Sequence, residues 1–261
     1  MLLIFIYLVI TTPFLFLINI WPYKTKRILN HIVGFFSKLV LAITGVKAEI
    51  DGIEHFSPKK NYFIICNHLS YLDILVMSTF FPSCYVTSVE MKETPVLGQI
   101  VTLAGCVFVE RRNKKNIKTE LKDIQSALKS GLNVVVFPEA TSTDGATVFP
   151  FKRSMFQAAI DAEVDLLPLT LEYRSLNDKP LDIKSRDFLF WYDDTSFASH
   201  CLGLCKQKNA KVVLHVNEVL TKESLPTCAG ELRDKSFEII HEKYHSLVGT
   251  NLKVAESNLT S

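Results

Sequence analysis

Apolar residues are unevenly distributed along this chain. Residues 1–22, "MLLIFIYLVITTPFLFLINIWP", carry no charged side chain. That is long enough to cross a bilayer, which needs about 20 apolar residues. Pro13, preceded by Thr11 and Thr12, is expected to bend or interrupt a helix there. A second apolar run, "HIVGFFSKLVLAITGV" (31–46), is short for a span and holds Lys38, so an interfacial helix is predicted. From about residue 50 the pattern changes. Short apolar runs predict strands over 61–66, 84–89, 106–110, 133–137, 165–172 and 211–217. Longer periodic segments predict helices over 71–80, 95–104, 115–130, 154–161 and 229–248. Alternating strands and helices indicate an α/β fold: a mixed, largely parallel sheet flanked by helices. The expected organisation is a two-helix membrane anchor over 1–48 and a catalytic domain over 49–261.

Composition refines this picture. Of the 261 residues, 48% are hydrophobic, and mean hydropathy is +0.19, apolar for a soluble protein. A net charge of +2 argues against general nucleic-acid binding. The apolar leader lacks the basic start and small-residue cleavage site of a signal peptide. Trp21 and Tyr23 suit a membrane interface, and "KTKR" (24–27) suits anionic headgroups and a cytoplasmic domain. The six cysteines form neither a CxxC pair nor zinc-ligand spacing, so reduced thiols are expected.

Three polar clusters lie where strands end, the usual place for chemistry in such sheets. The first is "NHLSYLD" (67–73), after the apolar run "YFIIC". His68 and Asp73 cannot face each other on one helix, because five residues turn it by about 500°. They can meet if His68 is on the loop and Asp73 is in the first helical turn, with Ser70 as N-cap. Ser-x-x-Asp is also an ordinary capping signature. In a catalytic reading His68 is a general base and Asp73 fixes its tautomer. The chain has no GxSxG, and Cys66 shares a strand face with Ile64, so no enzyme nucleophile stands out. A base without a nucleophile suggests a substrate that brings its own hydroxyl. The second cluster is "GCVFVERRNKK" (105–115), where Arg111, Arg112, Lys114 and Lys115 form either solvated surface or an anion site. The third is "VVVFPEATSTDG" (134–145), with Glu139 at a strand end.

A competing signal is "HEKYH" (241–245), which fits the HExxH zinc pattern. Only Glu256 among the later residues could serve as a third ligand, and the segment also reads as an ordinary amphipathic helix. No metal is expected. GxGxxG and GxxxxGK[ST] are absent, so no nucleotide cofactor is expected either.

Taken in order, "NHLSYLD", "GCVFVER", "FPEATST" and "LLPLTL" resemble the motifs NHxxxxD, GxxFxxR, FPEGTRS and a proline-bearing strand. These belong to the glycerolipid acyltransferase family that includes the lysophosphatidic acid acyltransferases. The resemblance covers about residues 50–175. It implies that His68 deprotonates a lysolipid hydroxyl, which attacks an acyl thioester on coenzyme A or acyl carrier protein. It implies Arg111 for the acceptor phosphate, and Glu139 and Thr141 on the acceptor side. It implies an enzyme of the bacterial inner membrane, active domain inward, making phosphatidate from 1-acylglycerol 3-phosphate. The family's glycine and arginine in the third motif are Ala140 and Ser142 here. Lys152 is the expected compensating cation. The departure also leaves room for another lysophospholipid or a lyso-ornithine lipid as acceptor. A zinc hydrolase and a catalytically dead membrane scaffold are the alternatives from other classes.

Overall fold

The computed structural model describes residues 2–94, 97–110 and 117–257, with side chains described as far as residue 248. Arg111, Arg112, Lys114 and Lys115 lie outside the described residues.

The sheet is built from β1 (Val46–Asp51), β2 (Tyr62–Cys66), β3 (Ser83–Ser88), β4 (Val107–Val109), β5 (Asn133–Val136), β6 (Asp165–Leu176), β7 (Lys179–Pro180) and β8 (Ala210–Val216). Its order is β1-β8-β6-β2-β5-β3-β4, with β7 paired to β6. Pairings are parallel except β6 with β7 and with β8. The α/β expectation therefore holds. Every residue of β2 is buried, as expected for a central strand covered on both faces. From β2 the chain runs towards β3 on one side; after β5 it crosses to β6 on the other. The loops leaving β2 and β5 thus diverge between adjacent strands, the usual crevice of open α/β sheets.

The helices are α1 (Leu2–Thr11), α2 (Phe14–Ile20), α3 (Pro22–Ile43), α4 (Leu72–Phe80), α5 (Val89–Glu93), α6 (Leu97–Leu103), α7 (Ile117–Lys129), α8 (Phe156–Ala162), α9 (Phe197–Leu204) and α10 (Ala229–Ser257). Helix α3 packs on α4, while α8 packs on both α7 and α10.

The N-terminal region departs from the expected pair of helices. Pro13 separates α1 from α2, and Pro22 opens a third, longer helix. Leu2–Ile20 is long and apolar enough to cross a membrane, and only 11% of its most apolar window is buried. Helix α3 differs: Leu29, Asn30, Gly34, Phe36, Ser37 and Leu41 are buried. At Gly34 an added Cβ would come within 2.6 Å of the Ser78 carbonyl oxygen on α4, so a side chain there would force the helices apart. The run 31–46 is therefore largely a packing helix of the domain, because its apolar stripe finds a soluble partner. Part of "KTKR" is absorbed in the same way: Arg27 donates to the Ser130 and Gly131 carbonyls at 3.0 and 3.4 Å, and Thr25 is buried. Strand β1 begins at Val46, so the expected division at 48/49 falls inside a strand paired with β8.

Candidate active site

Strand β2 ends at Cys66, and the next residue ties the loop down. The Asn67 amide accepts from Leu171 N at 2.8 Å and donates to Leu171 O at 3.1 Å, mimicking a strand partner for β6. His68 follows on the loop, and Asp73 lies in the first turn of α4. Their side chains meet, with Nδ1 2.8 Å from Asp73 Oδ2.

Asp73 is fully buried and saturated with donors. Its Oδ2 also accepts from the Leu69 and Ser70 amides at 2.7 and 2.9 Å. Ser70 is the expected N-cap, but Tyr71 holds that place without a side-chain cap; Ser70 instead offers its backbone N–H, and the aspartate reaches back to it as the acid of a capping box does. The helix proper begins at Leu72. Oδ1 accepts from the Tyr173 hydroxyl on β6 at 2.7 Å.

With Nδ1 occupied, His68 presents Nε2 for chemistry. Its side chain is 18% exposed, enough to meet a substrate at the crevice. The ring stacks on Phe137, centroids 4.0 Å apart and planes 15° from parallel. An aspartate behind and an aromatic face beside it leave the imidazole little rotational freedom.

Glu139 is placed differently from its expected acceptor-side role. Its Oε1 accepts from the His68 amide and Oε2 from the Phe149 amide, each at 2.7 Å. Both oxygens bind backbone, so the residue splices the His68 loop to the turn after β5. Burial pushes its carboxyl up to about 8, against the opposing pull of those two amides. The Thr143 amide adds a second splice, donating to His68 O at 3.0 Å.

Ala140 adopts φ +63°, the left-handed region that favours glycine. The glycine of the family's third motif is thus explained, and alanine bears strain here of about 1 kcal/mol. Thr141 is exposed, and its hydroxyl donates to the neighbouring Ser142 carbonyl. The Ser142 hydroxyl donates to the Trp191 carbonyl, so it faces the protein. Lys152 is exposed; its backbone amide binds Pro138 O at 2.8 Å, which places it beside the Glu139 turn. Arg111 lies outside the described residues.

Cys66 is fully buried, and burial pushes its thiol well up, in keeping with a core side chain. In the HExxH segment, the His241 and His245 rings lie 4.3 Å apart with their planes tilted by 53°, and His245 Nε2 lies 3.0 Å from the Thr147 hydroxyl. Among the described residues, no three His, Cys, Asp or Glu side chains form a group that could hold a metal ion.

Sequence reasoning missed Tyr173, Asn67 and Phe137. Asn67 carried a signal, a lone amide closing a wholly apolar strand. Tyr173 carried none, because its partner is 100 positions away.

Comparison with known proteins follows the same lines. Residues 47–172 match the family model described as Acyltransferase. A 1-acyl-sn-glycerol-3-phosphate acyltransferase of Neisseria gonorrhoeae is 35% identical over 166 residues, 60% of this chain and 65% of that protein. A lyso-ornithine lipid O-acyltransferase of Rhizobium meliloti is 27% identical over 190 residues, 70% of this chain and 64% of that one. The chain therefore spans just under two thirds of the length of these relatives. The crystal structure of the Thermotoga maritima 1-acyl-sn-glycerophosphate acyltransferase superposes with a TM-score of 0.64, covering 94% of this chain and 95% of that one. At 18% identity this likeness bears on the fold alone. The family match, the named relatives and the ordered motifs place residues 47–172 in the glycerolipid acyltransferase family.

Proposed function

We propose that this protein transfers a fatty acyl group from an acyl thioester to the hydroxyl of 1-acylglycerol 3-phosphate, giving phosphatidate. The observation that carries the reading is the His68–Asp73 pair, with Nδ1 held at 2.8 Å on a side chain that is partly exposed. Nε2 takes the proton of the acceptor hydroxyl as its oxygen attacks the thioester carbonyl. Asp73 stabilises the imidazolium that forms. When the tetrahedral intermediate collapses, the C–S bond breaks, and the thiolate of coenzyme A or acyl carrier protein recovers the proton. The acceptor supplies the nucleophile, so no enzyme-bound acyl intermediate is needed.

Arg111, in the second motif, is assigned to the acceptor phosphate, with Thr141 and Lys152 at the rim of the third motif. A bidentate guanidinium matches a phosphate monoester better than an ammonium does. The apolar segment Leu2–Ile20 holds the enzyme at the membrane that stores its substrates, with the domain on the cytoplasmic face of a bacterial inner membrane. Removing residues 2–20 should release the protein from membranes and lower its thermal stability only slightly, since Tyr7, packed on Phe36, and Thr11 are the buried residues lost; loss of folding would assign the segment to the core.

A second acceptor is favoured by one observation. Ser142 stands at the family's arginine and spends its hydroxyl on Trp191 O, so it supplies no charge to a phosphate. That suits a lyso-ornithine lipid or a lysophospholipid with a larger headgroup. The deciding experiment is a panel of lysolipids assayed with acyl-CoA and acyl carrier protein donors. Highest kcat/KM with lysophosphatidate supports the first reading, and with lyso-ornithine lipid the second. No transfer to any lysolipid would overturn both.

A further inference from the structure

The Tyr173 hydroxyl donates to Asp73 Oδ1 at 2.7 Å, on the carboxylate edge away from the three donors on Oδ2. Tyr173 and Asp73 are both buried, so water does not compete for this bond. Burial, reinforced by the adjacent carboxylate, pushes the Tyr173 phenol well up, which keeps it a neutral donor throughout the working pH range. Its ring is fixed edge-to-face against Phe190 at 5.2 Å. Phe190 precedes Trp191, whose amide donates to Leu69 O at 2.9 Å in the His68 loop. Tyr173 is thus aligned from both sides.

We propose that Tyr173 is a positioning residue that sets, through Asp73, how readily His68 takes a proton. The inference rests on the acyl-transfer reading above and adds a third member to the His68–Asp73 pair. A donor on Oδ1 draws electron density from the carboxylate and weakens its pull on the imidazole proton. Without that donor, Asp73 stabilises the imidazolium more strongly. His68 then stays protonated to higher pH and is a poorer base at a given pH below it. The other titratable groups around these residues, among the described residues, include Cys66 on β2, Tyr71 before α4, Glu139 after β5 and Tyr244 on α10. Burial pushes Cys66, Tyr71 and Tyr244 up and keeps them neutral, so Glu139 is the group whose titration must be separated from that of His68.

The experiment uses the full chain, with the Glu139 carboxyl titration followed by its own resonance so that it is separated from that of His68 without disturbing the loop that Glu139 holds. Tyr173→Phe keeps the ring and its packing and deletes only the hydroxyl. The acid limb of kcat/KM should move up by about half a unit to one unit, a loss of about 3- to 10-fold on that limb. Replacing Tyr173 with fluorotyrosine makes the phenol a stronger donor, leaves the bond in place and should move the limb down. The His68 ring titration, followed by NMR, should shift with the same signs. A uniform loss of activity at all pH values, with the His68 titration unmoved in both proteins, would overturn the proposal. The NMR arm is independent of turnover. Should the enzyme transfer no acyl group, the functional reading fails, while the coupling of Tyr173 to His68 is still measured.

Discussion

His68 and His215 both lie against buried carboxylates, yet the proposed mechanism asks only one of them to move a proton. His68 sits on a loop at the end of β2, with one ring nitrogen on Asp73 and a side chain that is partly exposed. His215 lies within β8, opposite Asp51 on β1 and Thr170 on β6. Its Nδ1 is 2.9 Å from Asp51 Oδ2 and its Nε2 is 3.0 Å from Glu172 Oε2. Arg174 Nε donates to the same Glu172 oxygen at 2.9 Å. Two acceptors on one ring are satisfied only when both nitrogens carry protons, or when one carboxyl does. The second histidine is therefore a clasp across three strands. A carboxylate neighbour alone does not make a base; the opposite nitrogen must be open, and the loop must place it where substrate arrives.

The comparison breaks most directly at the rings. His68→Ala should lower kcat/KM by about 10⁴-fold, the upper range for general acid–base catalysis. His215→Gln should leave it within a few-fold. If the two losses are equal, or His215 dominates, the assignment of roles is wrong. Asp73→Asn should cost less, about 10³-fold, because Nε2 survives but the tautomer is no longer enforced. Rates are best compared at saturating acceptor, since the loss should appear in kcat.

Glu139 sharpens the contrast from the side of stability. Its carboxyl is raised by burial from an ordinary 4.5 to about 8. A group raised on folding contributes stability that is full below its unfolded value and is lost as pH climbs through its folded value. The protein should therefore unfold at lower temperature as pH rises between about 4.5 and 8. Glu139→Gln should flatten that slope and lose one of the two backbone bonds, because the glutamine nitrogen cannot accept from the His68 or Phe149 amide. Each kcal/mol appears as about 2–4 °C in Tm for a chain of this size. A slope that persists unchanged in the variant would assign it to another group.

Much of this arrangement was legible in the sequence because it is local. Six of the described strands (β2 to β6 and β8) and five of the helices followed from runs and periods that each element carries by itself. The meeting of His68 with Asp73 followed from helix geometry and a capping spacing. What escaped depended on partners far along the chain. Strand β1 alternates buried and exposed residues in "VKAEID", a pattern too polar to stand out beside the apolar run before it. Strand β7 has two residues, and α5 has five, too few to show a period. The apolar runs in Leu2–Ile20 and in α3 both read as membrane-facing, but α3 packs on α4. Glu139 looked like a substrate ligand because strand ends are where ligands bind. Only the fold shows both its oxygens turned back onto backbone amides.

His215→Gln gives the smallest effect and tests the clasp itself. Glutamine keeps a polar group at position 215 but cannot bridge both acids, so Glu172 loses one buried partner while retaining Arg174. Leaving a buried acceptor under-satisfied costs about 1–3 kcal/mol. Asp51 contributes much less, since its side chain is 65% exposed and solvent screens the pair. The hydrogen bond from His215, the largest cause, holds the Asp51 carboxyl below its ordinary value. Its stabilisation is therefore present above the ordinary aspartate range and disappears as pH falls through the depressed value. In His215→Gln the Asp51 titration, read from its carboxyl resonance, should move back up, and the acid-side slope of stability should soften. Amide exchange should quicken in β1, the edge strand that the clasp holds to β8, and stay unchanged in β2 and β5 beside His68. Faster exchange around His68 instead would mean that the two histidines share one cooperative unit.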